Sequence, residues 1–195
     1  MLGRAAVAMW WDVAPEMRAE WEDWHTREHM PERLAIPGFL RGSRWVSGDS
    51  YFVLYEVDRF ATLTGGAYLE RLNHPTPWSQ KMMPHHRNMV RSLCEVRAGW
   101  GGGLPPALAT IRFSSRSSLT QLPQRHGLTG AHLLESRPLP AMTTEQKIRG
   151  GDATAEAVLL LGGRDLDAVK AAAGGLDGTV GFYRPAYSLC SGEIA

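Results

Sequence analysis

Four side chains able to move protons stand close together near the start of the chain: His25, Glu28, His29 and Glu32. On a helix of about 3.6 residues per turn, residues three, four and seven apart share a face. The spacing predicts two imidazoles and two carboxylates projecting together. Imidazole titrates near neutral pH, and a carboxylate beside it fixes the tautomer and raises the basicity. His29 is therefore the candidate catalytic acid or base, with His25 and Glu28 orienting or tuning it. The plainer alternative is a solvated helix face whose acids pair with Arg27 or Arg33, and such exposed pairs are worth little.

Other groups could hold a ligand. A loop over residues 73–78, continuing to 84–87, carries three His, three Pro and Trp78. Proline restricts the chain and gives a loop a defined shape, so Trp78 could cover an apolar ligand and His74 contact it. The alternative is a surface loop held by proline packing. In the expected strands, Arg41, Ser43 and Trp45 share one face and Arg44 takes the other, while Tyr51, Val53 and Tyr55 share a face. Tyr55 could hydrogen-bond a ligand carbonyl and Arg44 could hold a carboxylate. Alternation does not say which face lines a cavity.

Residues 25–29 also spell H-x-x-E-H, a zinc-hydrolase pattern that would need a third ligand such as Glu70 or Glu95. The spelling is short, and the surrounding elements do not look like that protease fold. The expectation is no cofactor and no metal. His85 and His86 are weaker metal candidates, since adjacent side chains point apart. Cys94 and Cys190, in apolar strands without CxxC spacing, are expected to be buried and inert. Gly101 to Gly103 lack the Lys-Ser/Thr of a phosphate cradle, and no GxGxxG follows a strand, so nucleotide binding has no support.

These residues need elements to position them. The first half reads as strand, helix, strand, strand, helix, strand. Strands are expected over 4–11, 39–47, 51–57 and 89–98. A helix opens at Pro15-Glu16 and ends or kinks at Pro31, a second runs over 60–72, and 73–87 is a loop. The second half repeats the order, with strands over 107–114, 128–136, 153–161 and 179–190. It has a stunted helix over 119–125, a loop over 137–152 and a helix over 165–173 with Asp165 as N-cap. All seven Trp lie in the first hundred residues, and a Gly/Pro-rich stretch over 99–106 separates the halves. The expected domains are 1–103, carrying the His/Glu helix, and 104–195. The fold class is α+β: two tandem ferredoxin-like βαββαβ units, each an antiparallel sheet with helices on one face. Their bare faces must be covered, which packing into an α+β barrel within one chain achieves.

The run Trp24-His25-Thr26-Arg27-Glu28-His29-Met30-Pro31-Glu32-Arg33, followed by Ile36-Pro37-Gly38-Phe39, resembles the dimeric α+β barrel superfamily, in particular its EthD-like members. The likeness covers the first ~100 residues; the second half shares only the element order. That superfamily includes monooxygenases, isomerases, dehydratases, polyketide cyclases and heme enzymes. The resemblance implies a cavity between sheet and first helix, and cofactor-independent acid–base chemistry on a small apolar organic compound. The alternatives are a non-catalytic binding or accessory protein for a hydrophobic metabolite, and a His-ligated metal or heme protein. Family members usually pair two chains. Tandem halves could pair within one, giving either a monomer with an internal pseudo-dimer or a homodimer.

Composition excludes several other classes. Lys plus Arg number 21 and Asp plus Glu 20, a net charge of +1 that offers no electrostatic case for nucleic acid or an anionic membrane. No apolar run approaches the ~20 residues that span a bilayer, and no cleavable signal is evident. A cytoplasmic location is expected.

Overall fold

The computed structural model describes residues 1–115, 121–138 and 141–194. Eight strands form it: β1 (Ala5–Asp12), β2 (Phe39–Ser47), β3 (Ser50–Val57), β4 (Arg87–Gly101), β5 (Ala107–Phe113), β6 (Leu128–Ser136), β7 (Ala157–Gly163) and β8 (Thr179–Cys190). They close into a barrel in the order β1-β3-β2-β8-β5-β7-β6-β4, and every neighbouring pair is antiparallel. Strands of the first half stay together in the ring, as do those of the second, and the halves meet at the β2–β8 and β4–β6 seams. Closure leaves no open sheet edge among the described residues.

Alternation along β1 explains its apolar sequence. Ala6, Ala8 and Trp10 join a cluster with Phe52, Leu108 and Leu160 that fills the barrel from both halves. The intervening Ala5, Val7, Met9 and Trp11 join the cluster beneath the first-half helices. A strand buried on both faces reads as one continuous apolar run. Inside the barrel, the Trp10 indole N–H donates to Thr110 Oγ1 at 3.1 Å, so its polar atom is satisfied.

The first helix continues through the proline. A 3₁₀ turn (Pro15–Met17) leads into α1 (Arg18–Trp24), a π-helical turn (His25–His29) and α2 (Met30–Leu34). Pro31 has no N–H to donate, and its ring would clash with the carbonyl four residues back. The wider turn answers this: Met30 N–H bonds the His25 carbonyl, an i→i+5 bond.

Several expectations are corrected here. The helix over 60–72 is two, α3 (Phe60–Thr64) and α4 (Gly66–Asn73), broken where Gly65 is extended (φ −75°, ψ 154°). The loop over 73–87 contains α5 (Pro77–Met82), capped by Thr76 Oγ1, which accepts from Ser79 N–H at 3.0 Å. The loop over 137–152 contains α6 (Thr144–Arg149), where Thr143 N–H donates to Gln146 Oε1 at 3.1 Å and Gly150 closes the helix at φ 86°. The strand expected over 153–161 begins at Ala157 instead. The stunted helix over 119–125 lies partly outside the described residues, and 121–125 is not helical. The last helix, α7 (Leu166–Ala173), has the expected cap, with Asp165 accepting from Ala168 N–H at 2.8 Å.

Candidate functional site

The outer face of β1, β3 and β4 meets the first helix around a narrow crevice, about 400 Å³ only when its open mouth is counted and with closed interior space for about one water molecule. His25 and His29 enter from the π-helical turn, Arg33 from α2 and Tyr55 from β3. Tyr68 enters from α4, Arg91 from β4, and Glu145 and Arg149 from α6. His86 stands just before β4, and Trp11, Met9 and Met89 complete the wall. Helix α6 comes from the second half, so residues on both sides of the Gly/Pro stretch line one cavity.

The polar atoms here are unusual. His25 Nε2, His29 Nδ1, Arg33 Nη1, Tyr55 Oη, His86 Nδ1 and Trp11 Nε1 are all buried without a hydrogen-bond partner among the described residues. Buried polar groups normally find partners, and leaving one unmade costs about 1–3 kcal/mol. Six such atoms around one crevice point to a polar occupant.

Neighbours set the tautomers. Trp21 Nε1–H donates to His86 Nε2 at 2.7 Å, so His86 carries its hydrogen on Nδ1. Arg44 Nη1 lies 3.5 Å from His25 Nδ1, a long contact. Arginine only donates, which leaves the hydrogen of His25 on Nε2. The His25 and His29 rings are 5.6 Å apart, packed against Trp21 and Trp24.

Burial holds all three imidazoles well below their ordinary range, with added repulsion from Arg44 at His25, Arg33 at His29 and Arg149 at His86. They are neutral at physiological pH. This reverses the expectation that a carboxylate raises their basicity. Glu28 is turned out of the cavity, where its Oε1 accepts from Thr76 Oγ1 at 2.5 Å. Burial raises the Tyr55 phenol, which stays protonated as a donor.

The charges form a buried chain. Arg33 pairs with Glu145, and Arg149 lies 3.7 Å from Glu145 and 2.8 Å from Asp152. Arg91 Nη2 donates to Tyr68 Oη at 3.1 Å.

Of the residues expected to bind ligand, Tyr55 lines the cavity. Arg44 does not; it lies beneath α1, donating to the Glu22 carbonyl at 3.2 Å and steadying His25. Trp78 is half-buried against α1, its indole N–H donating to Glu20 at 3.3 Å. His74 is exposed beside Glu70. Glu70 and Glu95, the nominated third zinc ligands, lie elsewhere, Glu95 on Arg137. No group of three or more His, Cys, Asp or Glu among the described residues has metal-holding geometry. Cys94 is buried, its thiol pushed up to about 12 by burial, whereas Cys190 is partly exposed, contrary to expectation.

Tyr68, Arg91, Glu145 and Arg149 were not singled out from the sequence, while His86 was weighed only as a weak metal candidate and Arg33 only as an ion-pair partner on a solvated helix face. A charged residue between Met89 and Leu93, on the face of β4 turned to the helices, was the available signal for Arg91.

An antiparallel barrel with helices on its outside, and a polar crevice between helix and sheet, defines the chain as an α+β barrel protein. No helix among the described residues is long and apolar enough to cross a membrane. No protein-family model matches the sequence, and no curated protein is significantly similar to it. Solved structures do share the fold. An anthrone oxidase-like protein superposes with a TM-score of 0.63 at 10% identity, covering 98% of this chain and 95% of that one. A protein assigned as a monooxygenase from Fusobacterium nucleatum gives 0.51 at 7% identity, over 95% of this chain and 93% of that one. One similarly assigned from Lactobacillus acidophilus gives 0.51 at 8%, over 96% and 97%. The likeness is to α+β barrels of this size; none of the three is described as EthD-like.

Proposed function

We propose that this chain is a cofactor-independent, oxygenase-like enzyme for a small organic compound, built from two tandem ferredoxin-like units. The observation that carries the reading is the crevice itself, where neutral imidazoles, a protonated phenol and a guanidinium turn unpartnered polar atoms on one space. The shared fold with an anthrone oxidase-like protein and two assigned monooxygenases supports it.

His29 acts as general base on a C–H bond beside a carbonyl, and Tyr55 and Arg33 donate hydrogen bonds to the oxygen that gains charge. An imidazole already neutral at working pH accepts that proton without first losing one. The resulting enolate reacts with molecular oxygen. In net terms a CH2 becomes C=O, with one oxygen atom retained and the other leaving as water with the two hydrogens. His25 positions His29, and the cavity's apolar walls hold the hydrocarbon part.

The test is oxygen uptake with anthrone and small enolisable phenolic ketones. The natural chain should accelerate uptake. His29→Ala should lose about 10²–10⁴-fold of that acceleration, while the exposed His74→Ala should keep it. Equal rates for His29→Ala and the natural chain would remove His29 from the reaction. Tight binding with every compound recovered unchanged would favour a storage or delivery protein.

A further inference from the structure

The cavity's charges do not balance. Arg33, Arg91 and Arg149 contribute three positive charges; Glu145 and Asp152 contribute two negative ones. The next pair outward, Arg71 with Glu32 at 3.1 Å, cancels itself. Arg33–Glu145 and Arg149–Asp152 account for four of the five buried charges. The excess falls on Arg91, which is 2% exposed. Among the described residues its guanidinium makes one side-chain hydrogen bond, to the Tyr68 hydroxyl, and no carboxylate oxygen lies within 4 Å; Asp152 and Glu145, each already paired with another arginine, act on it only from farther off. A buried charge without an ionic partner is costly, and folds rarely keep one without use.

The backbone holds Arg91 in place. Its N–H donates to the Ala153 carbonyl at 2.8 Å, and Met89 and Leu93 flank it on the buried face of β4. Arg33, on the same cavity, has an unpartnered Nη1. Guanidinium groups present flat forks of N–H donors that match a carboxylate. Met9, Trp11 and Leu72 offer the apolar wall for the rest of the molecule.

We propose that the cavity takes its ligand as an anion: a small aromatic acid whose carboxylate is held by Arg91 and Arg33 while its ring packs against Trp11 and the methionines. This rests on the crevice being the substrate site, and it names the substrate class for that site. Arg91 takes the carboxylate-binding part that the sequence suggested for Arg44. The ligand would complete the charge balance, and the same positive field would favour an enolate formed nearby.

The test uses the purified full chain and matched probes: benzoate and 1-naphthoate against benzamide and 1-naphthamide. None has a C–H bond beside its carbonyl, so binding is read independently of any proton transfer by His29. Loss of the oxygenase reading would leave this result standing, and the reverse also holds. Trp11 in the wall reports binding through its fluorescence. The acids should bind at least about tenfold tighter than their amides. Arg91→Met should abolish that preference, bringing the affinity for each acid down to that for its amide. Amides binding as tightly as acids, no acid binding at all, or an acid preference intact in Arg91→Met would each overturn the proposal. If Arg91→Met does not fold, the acid–amide comparison in the natural chain decides alone.

Discussion

Three imidazoles buried in their neutral form tie stability to pH. The sign follows from where the protons bind. In the unfolded chain His25, His29 and His86 take protons near pH 6.5; in the folded protein their affinities lie well below that value. The unfolded state therefore binds more protons as pH falls, and stability is present above 6.5 and lost below it. Each histidine kept neutral in the fold favours unfolding by somewhat more than about 1 kcal/mol one pH unit below 6.5, so the three together cost on the order of 4 kcal/mol there. Against a typical total of about 5–15 kcal/mol, that is a large share. Glu32 acts in the opposite sense, because burial raises its carboxyl, but only as pH falls towards the carboxylate range. Urea midpoints measured from about pH 7.5 down to about 5.5 should fall steeply at a constant slope parameter. His132, pushed down to about 4 chiefly by burial, adds a fourth contribution of the same sign, so in His86→Gln, whose amide oxygen still accepts from Trp21, the loss should shrink by about a quarter. Stability that stays flat across this range, or an unchanged pH dependence in His86→Gln, would refute the assignment of neutral buried imidazoles.

Three further outcomes are expected. Glu145→Gln leaves Arg33 and Arg149 facing each other without their shared carboxylate and should cost about 3–5 kcal/mol in urea unfolding, whereas replacing Arg33 and Glu145 together by Met should recover much of it. Gly42→Ala would place a Cβ 2.9 Å from Met30 Sδ and 3.0 Å from the Tyr55 ring. It should destabilise by about 1–3 kcal/mol and weaken ligand binding by displacing Tyr55, both measurable on one preparation. With a thiol reagent under native conditions, the partly exposed Cys190 should react promptly and Cys94 only on unfolding, so two fast thiols would contradict the burial of Cys94.

The barrel and the histidine pair were legible in the sequence because their signals are periodic. Apolar runs such as 5–11 and the spacing of His25 and His29 survive in the structure, since both depend on local geometry. Glu28 was misread because the helix is not regular there. Its phase was reckoned on α-helical turns, and the π-helical turn before Pro31 sends its carboxylate to Thr76. Helix α6 is six residues long, too short for periodicity to register. Its termini were written plainly, in Thr143-x-x-Gln146 and Gly150. Likewise Thr76-Pro77 is an N-cap followed by a first-turn proline, which announces α5. Arg33, Arg91 and Glu145 are separated by 112 positions from first to last, and only closure of the barrel brings them together.

Closing the ring within one chain has a consequence for how the protein can change. In an assembly of identical subunits every substitution appears in each copy, so a charge gained on one sheet face is gained on all. Here each position is written once. Beneath α7 the second-half sheet presents Ala107, Ala109, Ala131 and Leu161 to Val169, Ala172 and Ala173, a cluster of small and aliphatic side chains. The first-half sheet also meets its helices through apolar side chains, but imidazoles and guanidiniums are set among them. One side can keep its helix close and hold the ring rigid. The other is then free to accumulate the unpaired polar atoms and surplus charge that a symmetric ring would have to carry twice.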